Sequence, residues 1–271
     1  MTDRGVSIEE RLSPCLEWIF AEPDAIEDRV ALAALHGLRQ VEFWYWRRRD
    51  VNSLRDALRE RGVGVSAVVV DPQADIADVA AHPVWLSNVK DSALVAERLE
   101  SPVLVATAGL RLEPGPPDRE QMAAVSEALA VAASIAQSHG VKIALEPLND
   151  RVDHPGTLLT SSQVALEVVE AIGSPALGIL LDVYHAHAMG EDVPAMIGEL
   201  GEHIVHVQVA DDPGRNEPGS GNIPWAKVIQ ALHGINYQGN FGLEYKPTMP
   251  SAESVSFATR TLIRAATGTS P

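Results

Sequence analysis

The chain has 271 residues, which suits one large domain or two small ones, and 46% of them are apolar, enough for a sizeable core. Against 21 Lys and Arg stand 37 Asp and Glu, a formal charge of −16. Such a surface repels phosphate backbones and anionic lipid, which makes nucleic acid and membranes poor partners and favours a small molecule in a locally organised site. Cys15 is the only cysteine, so no intramolecular disulfide can form and a reducing, cytoplasmic setting is expected. No apolar run approaches a membrane span, and the polar, acidic start MTDRGVSIEE lacks the parts of a signal peptide.

In chain order, short β-rich runs alternate with longer helical patterns. Strands are expected at residues 15–20, 40–44, 63–70 and 102–108, then at 141–147, 176–182, 204–210 and 241–245. Helices are expected over 24–36, 51–61 and 118–139, and through 164–172 behind a cap at Thr160, Ser161 or Ser162. Gly37, Gly62, Gly140, Gly173 and Gly234 stand where helices should stop; Pro194 and Pro224 suit the first turns of a sixth and a seventh helix. Residues 71–99 fit the alternation least and read as an extra helix or an irregular loop. Eight strand–helix units in this length predict an α/β chain folded as a single (β/α)8 TIM barrel over 1–271, with 266–271 as a frayed tail. A doubly wound sheet would also alternate, but no G-x-G-x-x-G follows the first strand.

In such a barrel the chemistry gathers at the carboxyl ends of the strands. Glu146 closes the fifth strand, Asp182 the sixth and Glu244 the eighth, while Gln208 alternates with valines in the seventh. An acid at a strand end can equally be a helix cap or a salt-bridged rim residue, and for Asp182 alone that reading has equal weight. Glu146 and Glu244, however, close apolar runs that should be buried. Three carboxylates converging on one buried mouth would repel each other. A divalent cation resolves this, leaving about one negative charge that Lys246 and Arg215 can offset. Gln208 then reads as the neutral fourth ligand. Hard oxygen donors suit Mg²⁺ or Mn²⁺ better than Zn²⁺, with Co²⁺ as a substitute. H-E-x-x-H, G-x-S-x-G and Walker motifs are absent.

E-P-L-N (146–149), L-D-V-Y-H (181–185), H-V-Q-V-A-D-D-P-G-R-N-E-P (206–218) and L-E-Y-K-P (243–247) together resemble the hydroxypyruvate isomerase family. That family belongs to the xylose isomerase-like TIM barrels, whose relatives include sugar epimerases and endonuclease IV. C-L-E-W-I-F (15–20) and V-E-F-W (41–44) extend the likeness along nearly the whole chain, and it is strongest over the last half. The resemblance implies metal ligands at Glu146, Asp182, Gln208 and Glu244, with Glu146 and Glu244 as the catalytic acid/base pair. Many relatives carry histidine where Gln208 stands. The resemblance also implies substrate contacts from His185 and Arg215, with Glu217 in the same loop; Asn149 and Lys246 complete the expected substrate-facing set. The segment F-W-Y-W-R-R-R (43–49) departs from the family pattern and is expected to shape one wall of the pocket.

The expected chemistry is aldose–ketose isomerisation. An α-hydroxy carbonyl acid can chelate the ion, whose charge stabilises the enediolate left when one carboxylate removes a C–H proton. Returning the proton to the neighbouring carbon gives an isomerase, acting on hydroxypyruvate or a 2-oxo-tetronate; returning it to the same carbon gives a ketose epimerase. Arg215 suits a substrate carboxylate, its alternative being to pin its own loop through Asp211, Asp212 or Glu217. His185 suits a substrate hydroxyl, its alternative being an exposed loop position. Trp18, Trp44 and Trp46 are candidate walls of the mouth, although core packing is at least as good a reading for Trp18. Arg47, Arg48 and Arg49 read as a solvated turn. His206 is expected to support the site by hydrogen bonding, and Glu17 and Glu42 to be buried and paired without a catalytic part. His154 and His187 are assigned no role. An endonuclease IV-like site would need more histidines and a basic face. A non-catalytic barrel would give no substrate C–H exchange with deuterated water. The composition leaves a homo-oligomer open.

Overall fold

The structure, a computed structural model, describes residues 7–113, 115 and 119–268. Its strands are short and mostly buried along their length, as parallel strands covered by helices must be. They are β1 (Leu12–Pro14), β2 (Gln40–Phe43), β3 (Gly64–Val69), β4 (Val103–Ala106), β5 (Lys142–Leu145), β6 (Leu177–Asp182), β7 (Ile204–Val209) and β8 (Phe241–Leu243). All pair in parallel, in the order β1-β8-β7-β6-β5-β4-β3-β2. The cylinder closes between the ends of that order, where Cys15 bridges Glu42 and the Leu16 amide donates to the Glu42 carbonyl at 2.9 Å. This is the expected TIM barrel.

The covering helices are α1 (Ile26–Leu35), α2 (Val51–Arg61), α3 (His82–Arg98), α4 (Arg119–Ser138) and α5 (Ser162–Ile172), followed by α6 (Val183–Met189), α7 (Val193–Leu200), α8 (Trp225–Gly234) and α9 (Ser251–Thr267). Local chemistry sets their ends. Asp50 caps α2 by accepting from the Asn52 and Ser53 amides, and Gly62 ends it in the left-handed region at φ 63°. Ser161, one of the three expected candidates, caps α5 through the Val164 amide. On α4, Ala124, Ala128, Ala132 and Ala136 are buried at four-residue spacing with Val125 and Leu129, letting the helix lie close on the barrel. No helix among the described residues is long and apolar enough to cross a membrane.

Four expectations are corrected. The first strand is Leu12–Pro14, not 15–20: Trp18 and Ile19 amides donate back to the Cys15 carbonyl, so the segment turns. Its buried Leu16, Ile19 and Phe20 follow helical spacing and not strand alternation. Residues 71–99 hold the third barrel helix, α3, whose Pro83 sits in the first turn where no amide is needed and does not break the helix. An additional short helix, α6, follows β6 directly, so Pro194 begins α7. Gly234 is the last residue of α8; the left-handed position is Asn236, at φ 56°. Of the expected tail, Ala266 and Thr267 still belong to α9, and residues 269–271, like the expected helix start at Asp118, lie outside the described residues.

Candidate active site

The register of the late strands builds the site. Asp182, Gln208 and Gly242 are paired partners across β6, β7 and β8, which puts Asp182 and Gln208 in one layer of the cylinder. Glu146 and Glu244 each follow immediately on a strand, β5 and β8. All four side chains are buried.

Asp182 settles two readings at once. Its Oδ1 accepts from the Tyr184 amide (2.8 Å) and the His185 amide (3.2 Å), capping α6. Its Oδ2 faces the site, 3.3 Å from Arg215 Nη2 and 3.4 Å from His185 Nε2. The cap thus uses one oxygen of Asp182 and leaves the other beside Arg215 and His185.

Arg215 reaches inward from a backbone position at φ 56° and links two of the acids, its Nη2 standing 2.5 Å from Glu244 Oε2. Its guanidinium lies over the Trp18 ring (4.9 Å) and the Tyr184 ring (5.4 Å), within cation–π range of both. Trp44 Nε1 donates to the other oxygen of Glu244 at 2.6 Å. Glu146, by contrast, takes no hydrogen bond from the described residues; His185 Nε2 is its nearest cationic-type neighbour, at 3.8 Å. It is the less committed carboxylate of the pair.

The electrostatics follow from this crowding. Burial pushes the Glu146 carboxyl well above the usual range, and the charges of Glu244 and Asp182 push it further. Burial likewise raises Asp182 and Glu244, with the Arg215 charge opposing. One guanidinium does not neutralise three acids, and the remaining demand is for a cation or protons. His185 moves the other way: burial, then the Arg215 charge, holds it well below its ordinary value, so the ring is neutral. Its Nδ1 accepts from the Asn149 amide at 3.3 Å, which places the ring proton on Nε2, facing Glu146 and Asp182. In that tautomer Nε2 directs its proton towards the two acids, at 3.4 and 3.8 Å, with no hydrogen-bond partner of its own. His185 lies buried on α6 and not in an exposed loop.

The residues present fit a divalent ion. Gln208 Oε1 is buried with no hydrogen-bond partner while its Nε2 donates to Glu42 Oε1 at 2.9 Å. An orphaned amide oxygen costs free energy unless something electropositive meets it. Glu146 and Asp182 also bring carboxylate oxygens within 4.8 Å of one another.

The other expected residues divide. Lys246 sits at the rim, 3.5 Å from Asp153 and over the Trp18 ring at 5.7 Å, while Trp18 and Trp44 are half-buried walls. Asn149 does not face the mouth: it is fully buried, its Oδ1 receives the Val152 and Asp153 amides, and its Nδ2 lies 2.6 Å from His185 Nδ1. Its part is to hold His185. Glu217 turns away altogether, its carboxylate taken by the Thr248 amide and hydroxyl and the Ser254 hydroxyl. Trp46 packs towards α3, donating to Ser92 Oγ at 3.0 Å, and stays out of the mouth. Arg215 does not pin its loop; that task falls to Asp211, which accepts from the Gly219 and Ile223 amides and Trp225 Nε1. Sequence reasoning named Asp211 only as a partner for Arg215 and missed Asp153, which joins Asn149, Tyr184 and Lys246. The local D-D-P-G turn composition was the only signal for Asp211.

Known proteins agree with this architecture. The family model described as xylose isomerase-like TIM barrel matches residues 30–261. A protein named putative hydroxypyruvate isomerase, from Streptomyces coelicolor, is 31% identical over 269 residues, covering 92% of this chain and 95% of its own. The Pectobacterium atrosepticum protein named 2-oxo-tetronate isomerase is 29% identical, over 85% of this chain and 90% of its own. Among solved structures, an AP endonuclease, family 2, from Brucella melitensis superposes with TM-score 0.86 at 24% identity, covering 93% of this chain and 98% of its own, a likeness of fold. Eight parallel strands in a closed ring, the matched family model and a relative aligned along nearly its whole length converge: the chain belongs to the xylose isomerase-like TIM-barrel family, on its hydroxypyruvate isomerase branch.

Proposed function

We propose that the protein is a divalent-metal-dependent aldose–ketose isomerase acting on hydroxypyruvate-type α-hydroxy carbonyl acids. The observation that carries this reading is the partnerless Gln208 Oε1 in a layer with carboxylates that burial and mutual charge destabilise as anions. Glu146, Asp182, Gln208 and Glu244 would hold the ion, Mg²⁺ or Mn²⁺ from the hardness of the donors, with Co²⁺ as a substitute. When bound, it supplies Lewis-acid stabilisation of negative charge on neighbouring substrate oxygens.

The chain's own residues do the rest. Glu146, left without a hydrogen bond by the described residues, removes the proton from one carbon. Glu244, oriented by Trp44 Nε1, serves as its partner in moving a proton on the opposite side. His185 Nε2–H donates to a substrate oxygen, held in that tautomer by Asn149. Arg215 and Lys246, both against Trp18, present positive charge to a substrate carboxylate. A cytoplasmic setting suits the buried, unpaired Cys15.

The test is direct assay. Purified protein supplied with Mn²⁺ should convert hydroxypyruvate to tartronate semialdehyde. A second reading, isomerisation of a 2-oxo-tetronate, is favoured by the relative of that name at 29% identity. Turnover of the four-carbon acid without the three-carbon one would replace the first reading with the second; ketose epimerisation without either would move the chemistry to the epimerase outcome.

A further inference from the structure

Glu42 lies on β2, on the far side of β1 and β8 from Gln208, yet the two side chains meet inside the cylinder. Both Glu42 oxygens are engaged: Oε1 accepts from Gln208 Nε2 at 2.9 Å, and Oε2 lies 2.8 Å from His206 Nε2. All three side chains are buried. Gly242 makes the crossing possible. A Cβ there would stand 2.5 Å from Glu42 Oε2, 2.6 Å from Oε1 and 2.8 Å from Gln208 Cγ, so any side chain on β8 at this level would displace the pair.

A glutamine amide has two faces of nearly equal shape, one accepting and one donating. Only the accepting face can serve a cation. Turning the Gln208 amide over would set its oxygen against Glu42 Oε1, two acceptors with no proton between them, and would aim the NH₂ group at the carboxylate layer. With His206 fixing its second oxygen, Glu42 is held where it forbids that flip. We infer that Glu42, braced by His206 and admitted by Gly242, is the positioning residue that aims the Gln208 oxygen at the cation site. This rests on the metal reading above and assigns an early-strand residue to it. Residues that orient a ligand in this way typically change metal affinity by about 10- to 100-fold when altered.

Two variants and the wild type decide it, with Mn²⁺ dissociation constants measured by electron paramagnetic resonance and melting of the metal-free proteins as control. Glu42→Asp keeps the charge but withdraws the carboxylate by about 1.5 Å, one carbon–carbon bond, out of reach of Gln208. It should bind Mn²⁺ roughly 10- to 100-fold more weakly. The reversed pair Glu42→Gln with Gln208→Glu restores a donor–acceptor contact at unchanged total charge and turns an anionic oxygen to the ion, so it should bind Mn²⁺ at least as tightly as wild type. Wild-type binding together with a Glu42→Asp affinity within twofold of it would overturn the inference and leave the metal reading standing, as would a reversed pair as weak as Glu42→Asp. Absence of Mn²⁺ binding by the wild type would overturn both.

Discussion

At the carboxyl end of the cylinder, the two halves of the barrel carry different side chains on the same backbone. Strands β1 to β4 end at Pro14, Phe43, Val69 and Ala106, with half-buried Trp18 and Trp44 in the turns after β1 and β2; β5 and β8 lead into Glu146 and Glu244, β6 ends at Asp182, and β7 carries Gln208 one residue before its end. The pairing is parallel throughout, and each half carries one register shift, between Val41 and Glu42 where β2 pairs β3 and between Ile179 and Leu180 where β6 pairs β7. What differs is one side chain per strand end. The early half stabilises the container, and the late half holds the groups that container would otherwise exclude, with Glu42 as the early residue that crosses between them.

That division can be broken at its strongest point first. Glu146→Gln should lower turnover by about 10²–10⁴-fold, the usual contribution of a positioned acid/base group. Because burial and neighbouring acids oppose ionisation of Glu146, the metal-free variant should melt no lower than wild type. The early half should behave in the opposite way. Trp85, wholly buried on α3, should cost about 3–5 kcal/mol of stability as Trp85→Ala, while each folded molecule keeps its kcat; denaturant titration and active-site-normalised assay would separate the two effects.

Arg215→Met sharpens the comparison. It strands Asp182 Oδ2 and Glu244 Oε2 without their shared donor, and breaking such a buried pair costs about 3–5 kcal/mol. The deficit should appear in metal-free protein and shrink when Mn²⁺ is added, since a cation can replace the lost charge; equal deficits with and without Mn²⁺ would separate Arg215 from the cation site.

The smallest effect lies at the rim. Burial pushes the Asp153 carboxyl up, but hydrogen bonds from Asn149 and Tyr184 outweigh it and hold it down to about 2. A depressed carboxyl contributes stability above its ordinary value of about 4 and loses it as pH falls through its folded value. Asp153→Asn should therefore melt slightly below wild type at pH 5, and the gap should close between about pH 4 and pH 2.

The late half was the legible half. Glu146 and Glu244 each close an apolar run and Gln208 interrupts a row of valines, so the pattern of strands alone exposes them. What escaped depends on contacts remote in sequence. Glu217 sits in the same loop motif as Arg215, but whether it faces substrate or α9 is decided by Thr248 and Ser254. His185 was named as a candidate substrate contact, but that it stands on a helix shows only once Asp182 is seen capping one that starts at once. Glu42 reads as an ordinary buried acid because its partner is 166 residues away. Early strand 1 was misplaced since an apolar run with both two- and four-residue spacing satisfies either period, and α3 was obscured by Pro83, a breaker everywhere but in a first turn.

The central claim is that the acids of β5, β6 and β8 and the amide of β7 work only around a divalent ion. Exhaustive chelation followed by Mn²⁺ titration, with hydroxypyruvate conversion followed throughout, tests it most directly. Turnover should vanish on chelation and return in proportion to Mn²⁺ up to one ion per chain. Conversion that continues undiminished in the stripped protein would contradict it.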